Sequence, residues 1–330
     1  MQDELTTEVF YSKVMLFGEY TIIQGSMGLT IPYAHFNGEL RMVNKNAYTD
    51  LNFATRSNRA LYEYALYLRD LYQKDQLLVP FDVDGLLHDL KRGLYFESSI
   101  PEGYGLGSSG ALVAALFSRY AKSEALPHAG LTPDALLTLK QAFAQLESFF
   151  HGTSSGIDPL ICYLKHPIHL VNKQMIKPIT IPRHDIRRHD AIFLVNTGQP
   201  GKTGPLVKRY LEKCSQPHFA AFIANELIPL TNSSIQLLLD GETKGFMQKV
   251  QQLSALQLSW FREMIPDRVV PAWQQGLTNQ SYAMKLCGSG GGGYMLSLTR
   301  NYPQAARELS AFNLETIPVY TLDGQHGSIE

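Results

Sequence analysis

Apolar and β-branched positions gather over residues 9–17 and again over 38–43, with Gly25, Gly28 and Pro32 as punctuation between them, which predicts two strands separated by turns. The period then changes. Within 57–74, Leu61, Tyr64, Ala65, Leu68 and Leu71 recur at steps of three and four, the spacing of one buried helix face. Further helices are predicted over 109–122 and 133–149, the second opened by Thr132 and Pro133, a cap residue followed by proline at the first helical position. Strands return at 168–171 and 191–196, and 205–277 reads as mostly helical. The remainder predicts a strand at 283–286, a glycine run, a strand at 294–298, a helix at 303–312 and a strand at 316–322. This is a mixed α and β chain without internal repeats. Its one basic cluster, 183–189, is interrupted by Asp185 and followed by Asp190, and reads as a solvated loop between domains.

Composition narrows the function classes. At 330 residues the chain has room for two domains of ~150 residues, and 45% hydrophobic residues supply buried cores and exclude a disordered chain. A formal net charge of -1 gives no excess of positive charge to attract a polyanion, so nucleic acid is not expected as the main partner. No stretch approaches the ~18–20 uninterrupted apolar residues of a membrane span. Cys162, Cys214 and Cys287 are distant and odd in number, which suits a reducing compartment. Asp3, Glu4 and Glu8 occupy the start where a secretory signal needs basic and then apolar residues, so a cytoplasmic location is expected.

Four segments carry chemistry. The first is 101–111, where Gly103, Gly105 and Gly107, with Leu106 between them, lead through Ser108, Ser109 and Gly110 into an apolar helix. Alternating glycines let a backbone approach an anion, and the helix start adds unpaired N–H groups and the positive end of the dipole. The segment lacks the lysine of the Walker motif, and a serine-capped helix start is the structural alternative. In the second, Glu147 is followed by a turn containing His151, Gly152, Thr153, Ser154, Ser155 and Gly156, and Asp158 comes eleven positions after Glu147. Two carboxylates brought together this way divide labour between a divalent cation and a proton; exposed or capping acids are the alternative. The third, 285–294, holds Gly288, Ser289, Gly290 and Gly291 in a run of five glycines within six positions. A hairpin needs one or two glycines, so a close approach by a ligand or another loop is expected. The fourth is 12–20, a strand with Lys13 at its mouth and Glu19 and Tyr20 at its exit; alone, such a lysine is as readily an edge guard.

Taken in this order, 12–20, 101–111 and 285–293 resemble the three motifs of the GHMP kinases, the superfamily of galactokinase, homoserine kinase, mevalonate kinase and phosphomevalonate kinase. The closest likeness is to bacterial mevalonate kinases. Residues 13–19 resemble K-V-I-L-F-G-E, residues 151–158 resemble H-G-x-P-S-G-x-D, and 196–203 resemble D-T-G-x-x-G-x-T, which ends here on Thr203. Three departures bear on the acceptor or its turn. Tyr20 stands where mevalonate kinases usually have histidine and phosphomevalonate kinases tyrosine, Ser154 replaces a proline, and Gly201 stands where animal mevalonate kinases have arginine.

The resemblance implies an α+β, two-domain GHMP kinase fold: an N-terminal domain like ribosomal protein S5 domain 2 over 1–187 and a ferredoxin-like C-terminal domain over 188–330. It implies ATP and Mg²⁺ as cofactors, with Gly103, Gly105, Leu106, Gly107, Ser108, Ser109 and Gly110 on the phosphates and Ser109 and Glu147 on the metal. Asp158 and Lys13 would be catalytic, Asp158 receiving or orienting the proton of the acceptor hydroxyl and Lys13 keeping that carboxylate ionised. Lys13, Glu19, Tyr20, His151, Gly156 and Thr203 would face the acceptor, and Gly288, Ser289, Gly290 and Gly291 would form the glycine loop. The expected reaction is phosphorylation of mevalonate. Alternatives are phosphomevalonate or another small alcohol and, more remotely, a mevalonate-diphosphate decarboxylase-like enzyme, against which Glu147 and His151 argue, or a non-catalytic sensor. A small-molecule substrate is expected and a membrane partner is not. Oligomeric state is left open, a homodimer included. Residues 52–59 and 79–93 are candidates for the adenine side by position alone.

Overall fold

The first predicted strand is β1 (Val9–Phe17), with Phe10, Ser12, Val14 and Leu16 buried on one face and half-buried Tyr11 and Met15 flanking buried Lys13 on the other. The computed structural model describes residues 8–43, 50–122, 132–182 and 189–321. β2 (Gly28–Met42) is one continuous strand where the sequence predicts a turn-rich stretch and a short strand. Pro32 lies inside it, between two paired stretches: residues 28–30 pair with β4 (Ile168–Asn172) and residues 38–42 with β3 (Leu94–Ser98). The missing N–H is therefore not demanded by the pairings with β3 or β4. β5 (Met175–Pro178) pairs antiparallel with β4, and the strand order is β1-β2-β4-β5 with β3 also on β2.

The chain divides into two units that interleave in sequence. The first comprises residues 1–13, 34–101 and 107–165 and holds β3 and five helices: α1 (Leu51–Gln73), α2 (Val83–Lys91), α3 (Ser108–Tyr120), α4 (Pro133–His151) and α5 (Ile157–Leu164). α1 starts six residues before the predicted helix because the Asp50 carboxylate caps it, accepting from the N–H groups of Asn52 and Phe53. α4 starts as predicted, with the Thr132 hydroxyl accepting from the Ala135 N–H. Leu136, Leu139, Phe143 and Leu146 form its buried stripe, each side chain contributing roughly 2 kcal/mol of apolar burial. Phe143 meets Phe117 of α3 with ring centroids 4.7 Å apart. α3 is buried nearly all round from Gly110 to Phe117, so its first turn is the part left to meet a ligand.

The second unit comprises residues 14–33, 102–106 and 166–330. It contains a four-stranded antiparallel sheet, β6 (Ala191–Asn196), β7 (Ala283–Leu286), β8 (Tyr294–Thr299) and β9 (Thr316–Thr321), in the order β7-β8-β6-β9. Between β6 and β7 run α6 (Thr203–Cys214), α7 (Pro217–Phe222), α8 (Ile228–Leu239), α9 (Thr243–Trp260) and α10 (Val270–Asn279). α11 (Tyr302–Ser310) joins β8 to β9. Strand, helices, two strands, helix, strand in this order is the ferredoxin-like arrangement, in agreement with the expected α+β fold. Residues 183–188 of the predicted basic loop (183–189), and with them the expected domain boundary at 187, lie outside the described residues. Among the described residues no helix is long and apolar enough to cross a membrane.

Candidate functional site

The residues singled out in the sequence fall into two groups, one in each unit. In the first unit, Lys13, Gly107, Ser109, Gly110, Glu147, His151, Gly156 and Asp158 converge where β1, α3, α4 and α5 meet. Lys13 Nζ lies 3.0 Å from Asp158 Oδ2; the lysine is buried and the aspartate half-buried. Two glycines make this approach possible. Gly107, with φ 78, is the N-cap of α3, and a Cβ there would sit 2.9 Å from Cγ of Lys13. A Cβ on Gly110 would lie 2.8 Å from the carbonyl carbon of Asp158, so α5 packs against α3 only because that side chain is absent.

Glu147 sits next to the apolar stripe of α4 and is therefore buried. Its carboxylate accepts from Ser109 Oγ at 2.9 Å and from Ser154 Oγ at 2.5 Å. Burial and the neighbouring Asp158 carboxylate push its pKa up to about 7, against the pull of the two hydroxyls and Lys13. His151 Nε2 lies 3.0 Å from Ser109 Oγ. The one Ser109 proton goes to Glu147, so with Glu147 ionised the proton between histidine and serine is carried by Nε2. The first turn of α3, with Ser108, Ser109 and Gly110, has no side-chain cap, which leaves its N–H groups available to an anion. Gly156 closes the turn between α4 and α5 at φ 72, with room for no Cβ because the Lys140 carbonyl oxygen would be 2.0 Å away.

In the second unit three backbone segments interlock. The Gly201 N–H donates to Gly103 O at 2.8 Å, and the Gly293 N–H to Gln199 O at 2.6 Å. The Thr197 hydroxyl donates to Gly293 O at 2.7 Å, and the Gly291 N–H to Met264 O at 2.6 Å. A Cβ on Gly105 would come within 2.9 Å of Cys287 O, and one on Gly293 within 2.5 Å of the Tyr104 Cα. The glycine run is thus explained by close approach of other loops, one of the two readings its sequence left open. Leu106 is buried at the end of the 102–106 segment. Gly288 and Ser289 are half-exposed, Gly290 is buried, and Ser289 Oγ lies 3.1 Å from the exposed Thr203 Oγ1.

Glu19 and Tyr20 are both buried. Tyr20 has φ 63 and ψ -50, and the Thr21 N–H donates to Glu19 O at 2.7 Å, a γ-turn of the rare positive-φ kind that costs about 1–3 kcal/mol in a bulky residue. The Glu19 carboxylate pairs with Lys285, whose ammonium also donates to Leu286 O at 2.8 Å. Burial pushes the Lys285 ammonium down. The sequence reading assigned Lys285 no role, although a lysine among the apolar residues of β7 signals a buried partner. Two residues of the adenine-side candidate segments brace the first unit: Asn58 Nδ2 donates to Leu90 O and Leu94 O, and Ser57 Oγ bonds the backbone of Phe96.

Residues 63–166 match the GHMP kinases N terminal domain. Among curated proteins none matches the sequence. Solved structures similar in fold include Leishmania major mevalonate kinase in complex with R-mevalonate, at 20% identity and TM-score 0.60 over 97% of both chains. The Streptococcus pneumoniae phosphomevalonate kinase complex with phosphomevalonate and AMPPNP is similar at 15% identity and TM-score 0.59, over 96% of this chain and 100% of that one. Lactococcus lactis galactokinase complexed with galactose is similar at 15% identity and TM-score 0.61, over 97% and 94%. The chain therefore carries a GHMP kinases N terminal domain at residues 63–166 and has, along nearly its whole length, the fold of these kinases.

Proposed function

We propose that the protein transfers the γ-phosphoryl group of ATP to the hydroxyl of a small alcohol, with mevalonate the leading acceptor. The observation that carries this is the Lys13–Asp158 pair at 3.0 Å beside the Ser109–Glu147 hydrogen bond, next to an uncapped helix start. Phosphoryl transfer asks for positioning and charge neutralisation more than for covalent chemistry. The N–H groups opening α3 would hold the phosphates. Asp158 would orient the acceptor hydroxyl and take its proton as the new O–P bond forms and the bond to the β-phosphate oxygen breaks. Lys13 would offset the charge at the acceptor oxygen and hold the Asp158 carboxylate in position.

The donor set fits Mg²⁺: a serine hydroxyl and a buried carboxylate beside a second carboxylate, all oxygen, where this ion needs one or two carboxylates besides phosphate. Ser109 and Glu147 would hold it. Bound there, the ion would neutralise phosphate charge.

Phosphomevalonate is the second acceptor to test, because Tyr20 resembles the phosphomevalonate kinases at that position. The test is ADP release with MgATP and mevalonate, 5-phosphomevalonate, homoserine, galactose or no acceptor. Turnover with mevalonate supports the leading acceptor and turnover with 5-phosphomevalonate replaces it. Silence across the panel, with ATP bound, overturns both.

A further inference from the structure

The γ-turn at the exit of β1 is held at both ends by β7 and the stretch that follows it. On one side the Glu19 carboxylate is buried against Lys285, whose ammonium also lies 5.4 Å over the Phe17 ring. On the other, the Tyr20 ring packs against both Tyr210 and Phe261, with centroids 4.8 and 5.7 Å away, and its hydroxyl donates to the backbone carbonyl of Ser289 at 2.5 Å. Ser289 then donates through Oγ to the Thr203 hydroxyl, at the first residue of α6. Strain at Tyr20, burial of its ring and commitment of its one proton all point inward, whereas Ser289 and Thr203 stand at the surface.

We propose that Tyr20 is a positioning residue: its phenol fixes the Ser289 backbone, and through the Ser289 side chain it sets the orientation of the Thr203 hydroxyl, without touching the acceptor itself. This rests on the kinase reading, in which Thr203 faces the acceptor. A phenol suits the task because it presents a single proton on a rigid ring. Burial, with the Glu263 carboxylate adding to it, raises the Tyr20 pKa well above the ordinary phenol range, so the group remains a neutral donor. Histidine in its place presents a shorter ring with a different donor position. Tyrosine here is therefore tied to the loop geometry and need not report which alcohol is bound.

The test uses Tyr20→Phe, which keeps the ring and removes only the donor, together with Ser289→Ala, which cuts the next link. Amide hydrogen exchange is measured over residues 286–294, and steady-state constants are measured with the acceptor that turns over. The expected result for Tyr20→Phe is faster exchange confined to that stretch and kcat/KM for the acceptor about tenfold lower, the cost of one hydrogen bond, with KM for ATP within about twofold. Ser289→Ala should lower acceptor kcat/KM by a similar factor. Adding Tyr20→Phe to Ser289→Ala should cost less than about twofold more, because the relay is already broken. Multiplying effects in the double variant, or acceptor effects without any change in exchange, would overturn the proposal. If wild-type protein turns over none of the alcohols, the kinase reading has failed. The exchange arm then decides the loop-fixing role, unchanged exchange in Tyr20→Phe rejecting it and accelerated exchange supporting it.

Discussion

Lys13 and Asp158 form an ion pair at 3.0 Å in which the lysine is buried and the aspartate keeps about a third of its side-chain surface exposed. The asymmetry gives the pair a direction: the ammonium is fixed by the first unit's core and the carboxylate stands at its edge. Lys13→Met and Asp158→Asn are each expected to lower kcat by about 10²-fold or more while leaving ATP affinity within a few-fold. Steady-state kinetics and nucleotide titration of both variants check this. Near wild-type turnover in either removes the role given to that residue.

Glu147 gives a pH signature without any substrate. Its native pKa of about 7 lies above the ordinary value of 4.5, so between the two the folded chain binds more protons than the unfolded one. Stability from this group is complete below pH 4.5 and is lost as pH rises through 7, on the order of 3 kcal/mol if Glu147 acted alone. Thermal melts in chelator from pH 4.5 to 8 should show a decline that Glu147→Gln flattens, whereas parallel curves would count against the burial assigned here.

Breaking the Glu19–Lys285 pair from either side should cost more than removing it whole. Lys285→Met leaves the Glu19 carboxylate buried without its counter-charge, and about 3–5 kcal/mol is expected to be lost. Lys285→Met with Glu19→Leu should recover much of that loss. Denaturant unfolding of the two single variants and the double measures the difference, and additive losses would mean the two side chains act independently.

Gly156→Ala is expected to destabilise by about 2–4 kcal/mol, combining a left-handed backbone with a methyl group placed against the α4 backbone. Gly152→Ala, in the same turn and also at positive φ but with open space around its Cβ, should cost less. Melting temperatures of the two variants check the order.

Where local period or local chemistry sets an element, the sequence made it legible. β1 follows its run of apolar and β-branched residues and α4 its Thr132–Pro133 start. β3 is five residues long and becomes a strand by pairing with residues 38–42 of β2, which no local signal records. Pro32 misled for the same reason, since whether a proline breaks a strand depends on what lies across from its missing N–H. At the site, the residues Lys13, Ser109, Glu147 and Asp158 were visible as motif positions, and their mutual contacts follow from helix packing. Lys285 was passed over because its significance resides in Glu19, far away in the chain. The engagement of the Tyr20 phenol by Ser289 was equally invisible to spacing.

The interlocking of 102–106, 197–201 and 288–293 bears on how such a chain tolerates exchange of parts. Each segment leaves out side chains where another's backbone passes, Gly293 beside Tyr104, Gly292 beside Pro200 and Gly201 beside Gly290. The three therefore behave as one inherited block. A chimaera importing the 288–293 stretch alone from a relative would meet backbones shaped for a different neighbour, whereas transplanting all three together would carry its own fit along.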